Sequence, residues 1–177
     1  MLVTFRRLTD DDLPLLHRWL NEPGVVRWWE GEDVSWEAVV RDYGSTNEDQ
    51  VEHWIALLDG DPLGWIQCYA WADYDDEEEA RAHFSAGVDR HGAGIDYLLG
   101  DPATRGRGTG SAMIASFVKD VVFANHPTWP QVSAGPYLAN EASWRALARA
   151  GFRHLADYPT EDGPCRVMVK DRITQDR

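Results

Sequence analysis

The chain has 177 residues and a formal net charge of −13, which is enough material for one domain with a sizeable core. The charge argues against nucleic acid as a substrate, because so acidic a chain repels phosphates except where local arginines overrule it, and it favours a polycationic substrate instead. We expect neither a signal peptide nor a membrane span or membrane partner, because a strand-like start is followed at once by acidic residues; we therefore place the protein in the cytoplasm.

Cys68 and Cys165 are the two cysteines, and each lies within an apolar, strand-like run. This placement predicts buried structural thiols and neither a disulfide framework nor a zinc site. Among the six histidines, His53, His83 and His91 are conceivable bases, but no pair has metal-ligand spacing. We therefore expect no metal, and a surface or core role for each of these three side chains.

The first strand is predicted over about residues 2 to 8, after which Thr9 or Asp10 can cap a helix with an acidic first turn. Residues 21 to 24, Asn-Glu-Pro-Gly, end this helix. Its predicted apolar face consists of Leu13, Leu16, Trp19 and Leu20.

Two adjacent tryptophans, Trp28 and Trp29, follow in a segment that also carries Glu30, Glu32 and Asp33. If this segment is a strand, one ring faces inward and its neighbour faces out. We interpret Trp28 as a core residue. For Trp29 with Glu30, core packing beside a solvated loop and a wall for a cationic sugar or amine both stay open, because aromatic faces and carboxylates together hold ammonium groups.

A second helix is capped by Ser35 and reaches about Tyr43. Residues 53 to 58 and 62 to 71 then form a hairpin around a turn at 59 to 61. Both halves have the pattern of strands, so this hairpin is expected to form part of the sheet.

The densest acidic run of the chain lies at residues 73 to 79. We favour a solvated, mobile loop for this run. The alternative is a negative rim that steers cations toward a site between the run and Asp96.

Residues 94 to 110 are predicted to form a strand, a turn, an anion-binding loop and the start of a helix. Asp96 lies inside the apolar run 95 to 99, where a charge is costly unless it is paired or used. Glycines let the backbone approach a ligand and turn N–H groups toward it. They occur at positions 106, 108 and 110.

A long amphipathic helix follows this loop and ends at residues 125 to 127, Asn-His-Pro. The orphan N–H groups at its start, its dipole, and the side chains of Arg105 and Arg107 together favour a phosphate or pyrophosphate. The loop is not a P-loop, because no Gly-Lys-Ser/Thr closes it, and its glycine spacing does not fit the Rossmann fingerprint.

The last third of the chain completes the predicted fold with a strand at 131 to 134, a helix from about Glu141, and strands near 152 to 158 and 165 to 170. Asn140 opens the helix and Gly151 follows its end. Its predicted buried side chains are Trp144, Leu147 and Ala148. These elements imply an α/β fold, in which a mixed sheet carries helices on both faces.

The segment from Arg105 to Gly110 resembles the acyl-CoA loop of the GNAT acetyltransferase superfamily, whose pattern is Arg/Gln-x-x-Gly-x-Gly/Ala. As in that superfamily, a strand precedes the loop, and the helix opened by Asn140 ends in Ala-Gly-Phe at 150 to 152. Across nearly the whole chain, the order of features is similar to the aminoglycoside 6′-N-acetyltransferases. The strings that carry this likeness are Trp-Leu-Asn at 19 to 21, Trp-Trp-x-Gly-Glu at 28 to 32, Gly-Ile-Asp-x-Leu-Leu at 94 to 99 and Asp-Gly-Pro at 162 to 164.

The resemblance implies one GNAT domain over residues 1–177, with a mixed, mostly antiparallel sheet and the acyl-CoA loop between a central strand and a helix. It also implies transfer of acetyl from acetyl-CoA to an amine of a polycationic amino sugar, the 6′-amine of aminoglycoside antibiotics. Asp96 is then the catalytic carboxylate beside the acceptor amine. The resemblance places Trp29, Asp89, Asp96 and Asp162 in the sugar site. Glu30 is assigned to the same site because it follows Trp29, and an aromatic face with a carboxylate holds an ammonium group. The residues expected at the cofactor are Leu98, Leu99, Arg105, Gly106, Arg107, Gly108, Thr109, Gly110 and Asn140.

The chemistry of acyl transfer supports the role of Asp96 independently, because an amine attacks a thioester only as the free base held at near-attack distance. A carboxylate with the ordinary pKa of about 4 accepts a proton from an ammonium poorly unless burial lifts that pKa. We therefore assign Asp96 to positioning the amine first and to relaying its proton, through water, second. The superfamily implies that backbone N–H groups near Leu98 and Leu99 polarise the thioester carbonyl.

Two positions depart from the pattern of the resembling family. Leu147 stands where that family usually has a tyrosine able to protonate the departing thiolate, so another donor or water must serve the leaving group. Gly135 stands where the family commonly has an acidic residue, and we expect this loss to weaken or redirect antibiotic recognition.

Three functions stay open on the sequence. The first is the aminoglycoside-type N-acetyltransferase acting on a small cationic amine, as a monomer rather than a homodimer. The second is a siderophore-pathway lysine or hydroxylysine N-acyltransferase, although those enzymes usually have histidine at the position of Asp96. The third is a GNAT module that senses acyl-CoA without turnover, which Leu147 supports and Asp96 argues against.

Overall fold

The computed structural model describes residues 1–29 and 31–173, so the predicted site residue Glu30 lies outside the described residues. The strands are β1 Val3–Arg7, β2 Glu52–Leu58, β3 Asp61–Ala70, β4 Ala93–Leu99, β5 Gln131–Ala134, β6 Arg153–Tyr158 and β7 Cys165–Asp171. They form one sheet in the order β1-β2-β3-β4-β5-β7-β6. Every neighbouring pair is antiparallel except β4 and β5, which run parallel, and this confirms the predicted mixed sheet.

Helices connect most of the strands, and the hydrophobic periodicity predicts all of them except Pro23–Val26 and Glu78–Ala86. They are α1 Leu13–Leu20, α2 Pro23–Val26, α3 Trp36–Tyr43, α4 Glu78–Ala86, α5 Thr109–Phe117, α6 Phe123–Asn125 and α7 Glu141–Arg149. A π-helical turn, Val118–Val122, joins α5 to α6, so the long helix predicted after the glycines is one nearly continuous segment. In the described part of the chain, no helix is long and apolar enough to cross a membrane.

The two faces of the sheet are covered by different helices. Ile66 and Ile95 pack in the cluster of buried residues formed with α5 and α7, whereas Trp65 and Leu98 pack against α1 and α3. The predicted apolar face of α1 is buried in this second cluster. Because successive residues of a strand face opposite sides, Asp96 and Leu98 point toward the α1 and α3 side, and Tyr97 points toward α5.

The sheet opens between its two parallel strands. β4 pairs with β5 at Ala93↔Val132 and Gly94↔Ser133, and β4 then continues to Leu99 in register with β3 alone among the described strands. Asp96 lies just beyond the last β4–β5 pair. The opening therefore exposes the middle of a central strand to a ligand from both sides of the sheet.

Two segments differ from the expectation drawn from the sequence. The first helix ends before Asn21 as expected, but Pro23 then begins a second short helix, α2, since proline fits the first position of a helix. The tryptophans that follow lie in a turn rather than a strand. The acidic run was expected to be a mobile loop, yet α4 starts inside it at Glu78. Carboxylates in the first turn interact favourably with the helix dipole, and Gly87, with φ of 103°, ends the helix.

Candidate active site

A cavity of about 400 Å³ lies at the opening between β4 and β5. Aromatic side chains form much of its wall: Trp28, Trp29, Tyr43, Trp65, Tyr97 and Tyr137. Three carboxylates, from Glu32, Glu79 and Asp96, share the same cavity. The polar side chains of Gln67, Asn140 and Ser143 also line the cavity.

Asp96 is held in place by neighbours on β3. Gln67 Nε2 donates a hydrogen bond of 2.7 Å to Asp96 Oδ2, and the Tyr69 hydroxyl donates a second hydrogen bond to the carboxylate. Gly94 makes room for this tyrosine, because a Cβ at position 94 would lie 2.4 Å from Tyr69 Cζ. Burial raises the pKa of Asp96 against these two bonds, so the carboxylate is a stronger proton acceptor than an exposed aspartate.

Glu79 is a site residue that the sequence analysis did not single out. It projects from the first turn of α4 into the cavity, where 49% of its side chain stays exposed. Desolvation first and the charge of Asp96 second raise the pKa of Glu79, and Glu32 raises the pKa of both groups. The three carboxylates therefore repel one another, and a bound cation would relieve this repulsion.

The buried side chain of His83 occupies the space next to Gly135, where the resembling family commonly has an acidic residue. A Cβ at position 135, directly after β5, would lie 2.6 Å from His83 Nε2, so this position has no room for a carboxylate side chain while the histidine is present. His83 is fully buried, as predicted for a core histidine, with Nδ1 3.3 Å from Ser133 Oγ, and burial lowers its pKa to about 4. Glu79 Oε1 lies 3.8 Å from His83 Nε2, so α4 places negative charge next to the position where β5 has none.

One of the two adjacent tryptophans differs from its expected role. Trp28 was interpreted as core, but it is half-buried in the cavity wall, with its ring centroid 6.4 Å from that of Tyr137. Trp29 lines the cavity and also packs edge-on against Trp65, at 6.2 Å between ring centroids. Trp28 reaches the cavity wall because α2 and the turn after it replace the strand alternation on which its assignment to the core depended.

The predicted cofactor loop joins β4 to α5. Gly106 and Gly108 adopt φ values of 74° and 80°, which only glycine takes without strain, and Gly108 caps α5. Thr109 and Gly110 form the first turn, whose backbone N–H groups have no helical acceptor. The loop thus presents the amides of an anion site at the edge of the opening, next to Leu98 and Leu99.

The two arginines of this loop have different surroundings. Arg105 Nη2 donates to Glu22 Oε2 at 2.5 Å and to the carbonyl oxygen of Leu99 at 3.2 Å, so its side chain fastens the loop to α2 and to β4. Arg107 is exposed. Arg107 is therefore the arginine whose charge can turn toward a phosphate without breaking an ion pair that the structure contains.

The first turn of α7 forms the far wall of the opening. Asn140 caps α7 by accepting a hydrogen bond of 3.3 Å from Ser143 N, and both residues line the cavity. Tyr97 and Ser143 share a hydrogen bond of 2.7 Å between their hydroxyl oxygens. Leu147, one turn further along, is fully buried in the core and offers no donor to a ligand.

Asp89 and Asp162 lie outside the residues that line the cavity. Asp89 is exposed before β4, where its carboxylate accepts a hydrogen bond from His91 N in a local turn. Asp162 is exposed in the β6–β7 loop. Next to Asp162 in this loop, the carbonyl of Pro164 accepts a hydrogen bond of 2.8 Å from the N–H of Leu138, which follows the cavity residue Tyr137.

A cluster with metal-ligand chemistry lies away from the cavity, formed by Glu52, Cys68 and His126. His126 Nε2 lies 3.0 Å and Cys68 Sγ 3.8 Å from the Glu52 carboxylate. Arg7 Nη1, at 3.2 Å, already provides a cation for this carboxylate. We therefore assign no metal to the cluster.

A sheet that opens between two parallel strands, with a glycine-rich loop leading into a helix at the end of one of them, is the arrangement expected of a CoA-dependent acyltransferase from the motifs. Comparison with protein families agrees: residues 9–159 match the family model described as "Acetyltransferase (GNAT) domain". The chain belongs to the GNAT acetyltransferase family, and it has the GNAT fold that the motifs predicted.

Relatives of known function share nearly the full length of the chain. Aminoglycoside N(6′)-acetyltransferase type 1 of Klebsiella pneumoniae is 31% identical over 182 aligned residues, which cover 99% of this chain and 86% of the relative. A crystal structure of aminoglycoside acetyltransferase AAC(6′)-Ib in complex with coenzyme A is 28% identical, covers 97% of this chain and 95% of its own, and has a TM-score of 0.81. The structure of AAC(6′)-Ib with ribostamycin and coenzyme A is 29% identical, covers 97% and 94%, and has a TM-score of 0.82.

Proposed function

We propose that this acetyltransferase moves the acetyl group of acetyl-CoA to the 6′-amine of aminoglycoside antibiotics, by direct attack within a ternary complex. Residues 1–177 form its single catalytic domain. The named relatives, which are aminoglycoside N(6′)-acetyltransferases, support this acceptor. Two of the related structures are complexes of AAC(6′)-Ib with ribostamycin and with kanamycin.

The observation that carries the proposal is the composition of the cavity. Glu32, Glu79 and Asp96 bring three carboxylates together within aromatic walls. Amino sugars carry several ammonium groups on rings whose C–H faces pack on aromatic side chains, so both features of the wall fit them. The net charge of −13 adds long-range attraction for the same polycation.

Asp96 binds the acceptor ammonium and orients its nitrogen toward the thioester. Its raised pKa lets it take up the proton, directly or through water, as the amine becomes the free base. The nitrogen then bonds to the carbonyl carbon, and the C–S bond breaks with its electron pair leaving on sulfur. We assign backbone N–H groups near Leu98 and Leu99 to the developing oxyanion, since β4 has no partner strand on the β5 side there.

The remaining assignments follow from the motifs and from the geometry together. For coenzyme A we propose the loop amides, Arg107 and Asn140, with Arg105 holding the loop. For the acceptor we propose Trp29, Glu79 and Glu32 in the cavity. Glu30, Asp89 and Asp162 stay assigned to the outer sugar rings, as the motifs imply.

The test is thiol release from acetyl-CoA across a panel of acceptors: kanamycin, tobramycin, an aminoglycoside with a 6′-hydroxyl group, spermidine, lysine and hydroxylysine. We expect turnover with the 6′-amino compounds and none with the 6′-hydroxyl compound. Turnover of hydroxylysine alone would assign the chain to the siderophore-type acyltransferases. Tight coenzyme A binding without turnover of any acceptor would identify a sensor.

For the cell, we propose a cytoplasmic monomer. The two cysteines, Cys68 and Cys165, are both free and buried, which fits a reducing compartment. The monomer is tested by light scattering of the purified chain with and without coenzyme A.

A further inference from the structure

The departing sulfur of acetyl-CoA needs a hydrogen-bond donor, because negative charge develops on it as the C–S bond breaks. Leu147 cannot serve, since its side chain is apolar and lies fully buried in the core. The wall of the cavity nearest to Leu147 does contain hydroxyl groups. They belong to Tyr97 on β4 and to Ser143 in the first turn of α7.

Tyr97 and Ser143 form a pair that always leaves one O–H free for a ligand. Their oxygens are 2.7 Å apart, and a hydrogen bond between two hydroxyls uses one of the two protons. If Tyr97 donates to Ser143, the serine proton can point to a third group; if the direction is reversed, the tyrosine proton can. Both residues line the cavity, so this third group can be a bound substrate.

We propose that Tyr97 and Ser143 together donate a hydrogen bond to the sulfur of acetyl-CoA and stabilise the thiolate as it departs. Asp96 and Tyr97 are neighbours on β4, so their side chains reach the opening from opposite faces of the sheet. The acceptor amine is held on the Asp96 side. An acyl donor anchored at residues 105–110 that meets this amine in the opening brings its sulfur to the other side, where Tyr97 and α7 lie.

The step balances without any other reactant. The ammonium first loses one proton through Asp96 to solvent and becomes the free amine. The amine nitrogen then bonds to the carbonyl carbon, the C–S electron pair leaves on sulfur, and the nitrogen gives up a second proton. Burial raises the pKa of Tyr97, so the tyrosine keeps its own proton and acts as a hydrogen-bond donor. The second proton of the nitrogen, carried by Asp96 and water, is the one that finally neutralises the thiolate.

The proposal depends on the use of acetyl-CoA but not on the identity of the acceptor, so it can be tested in the binary complex with coenzyme A. The thiol pKa of bound coenzyme A is read by NMR from a ¹³C label on the carbon next to sulfur. A donor to the thiolate lowers this pKa, and we expect Tyr97→Phe and Ser143→Ala each to raise it by about one unit relative to the unmodified protein. Tyr74→Phe removes a hydroxyl outside the cavity and serves as the matched control.

Kinetics provide the second measurement. Each substitution should lower kcat about tenfold with the KM for acetyl-CoA nearly unchanged, because the remaining hydroxyl loses the partner that orients it. The double variant should be slower than either single variant, because it removes the last O–H donor. A bound-thiol pKa that is the same in all variants would overturn the proposal. If the unmodified protein acetylates none of the panel, the proposed acceptor is wrong, while the thiol titration still decides the role of Tyr97 and Ser143.

Discussion

At the scale of single residues, Asp96 is a carboxylate that selection for stability alone would not place on a central strand. A carboxylate in the middle of a central strand costs free energy, and the structure offsets part of this cost with hydrogen bonds from Gln67 and Tyr69. What remains is a raised pKa, which is the property that a proton acceptor for an ammonium needs. The string Gly-Ile-Asp-x-Leu-Leu led to this residue, but not to the two neighbours that hold it.

Asp96→Asn should lower kcat by about a hundredfold or more while the dissociation constant for coenzyme A stays within a factor of two, because the amide cannot take the proton. Steady-state kinetics and calorimetric titration with coenzyme A measure the two quantities. Asp61→Asn, on an exposed strand end, is the control for a neutralised aspartate. Equal losses of turnover and of coenzyme A binding would show that Asp96 does not act on the acceptor amine.

Glu79→Gln should weaken acceptor binding and stabilise the free protein at alkaline pH. The folded-state pKa of Glu79 is raised, so ionising it costs stability as the pH rises from the ordinary carboxyl pKa toward the raised value. The variant should therefore have a higher Tm than the parent near pH 8, and the difference should vanish near pH 4. The KM for kanamycin at neutral pH tests acceptor binding, and thermal melts from pH 4 to pH 8 test stability. An equal Tm difference at both pH values would contradict a raised pKa for Glu79.

At the scale of elements, α4 provides the carboxylate that was expected directly after β5. The loss of an acidic residue at Gly135 was expected to weaken recognition of the antibiotic. His83 of α4 fills that space, and Glu79 of the same helix supplies a carboxylate nearby. The spacing of Ala80, His83 and Phe84 is the signal that could have revealed this helix inside the acidic run.

Gly135→Ala tests the packing of α4 against β5. The new Cβ would meet His83 at 2.6 Å, so we expect a loss of about 1–3 kcal/mol in the free energy of unfolding. In a His83→Ala background the same substitution should cost much less, because the clash is gone. Urea denaturation of the four proteins measures this coupling, and additive losses would show that the histidine does not limit the space at position 135.

Across the whole molecule, the negative charge and the local carboxylates act in the same direction. The net charge of −13 attracts polycations over distances near the Debye length, and the cavity then binds them at close range. Coenzyme A is an anion and is repelled by the same acidic surface, and we propose that the loop amides and Arg107 overcome this repulsion at its phosphates.

Raising the salt concentration from about 0.05 to about 0.5 M should raise the KM for a polycationic acceptor severalfold through screening. The KM for acetyl-CoA should rise less or fall, because screening also weakens the repulsion between its phosphates and the acidic protein. The two KM values are compared in the same salt series. A flat response for the acceptor would show that the acidic surface plays no steering part.

The sequence by itself determined the strands, most of the helices, the α1 face, the hairpin, the glycine loop before α5 and the family, because these depend on periodicity and on motifs of contiguous residues. It also pointed to Asp96 and Trp29 in the cavity. It did not predict α2, α4, the place of Trp28 in the cavity wall or the role of Glu79, which lie in segments whose local signals are weak or mixed.

Only the tertiary structure decided which distant side chains meet at the opening between β4 and β5. Glu32, Glu79 and Asp96 come from three different elements, and Tyr97 meets Ser143 across 46 positions of chain. Such contacts depend on how far the two parallel strands separate and on which helix packs at their edge. No local pattern encodes these distances, because they result from the packing of the whole sheet against its helices.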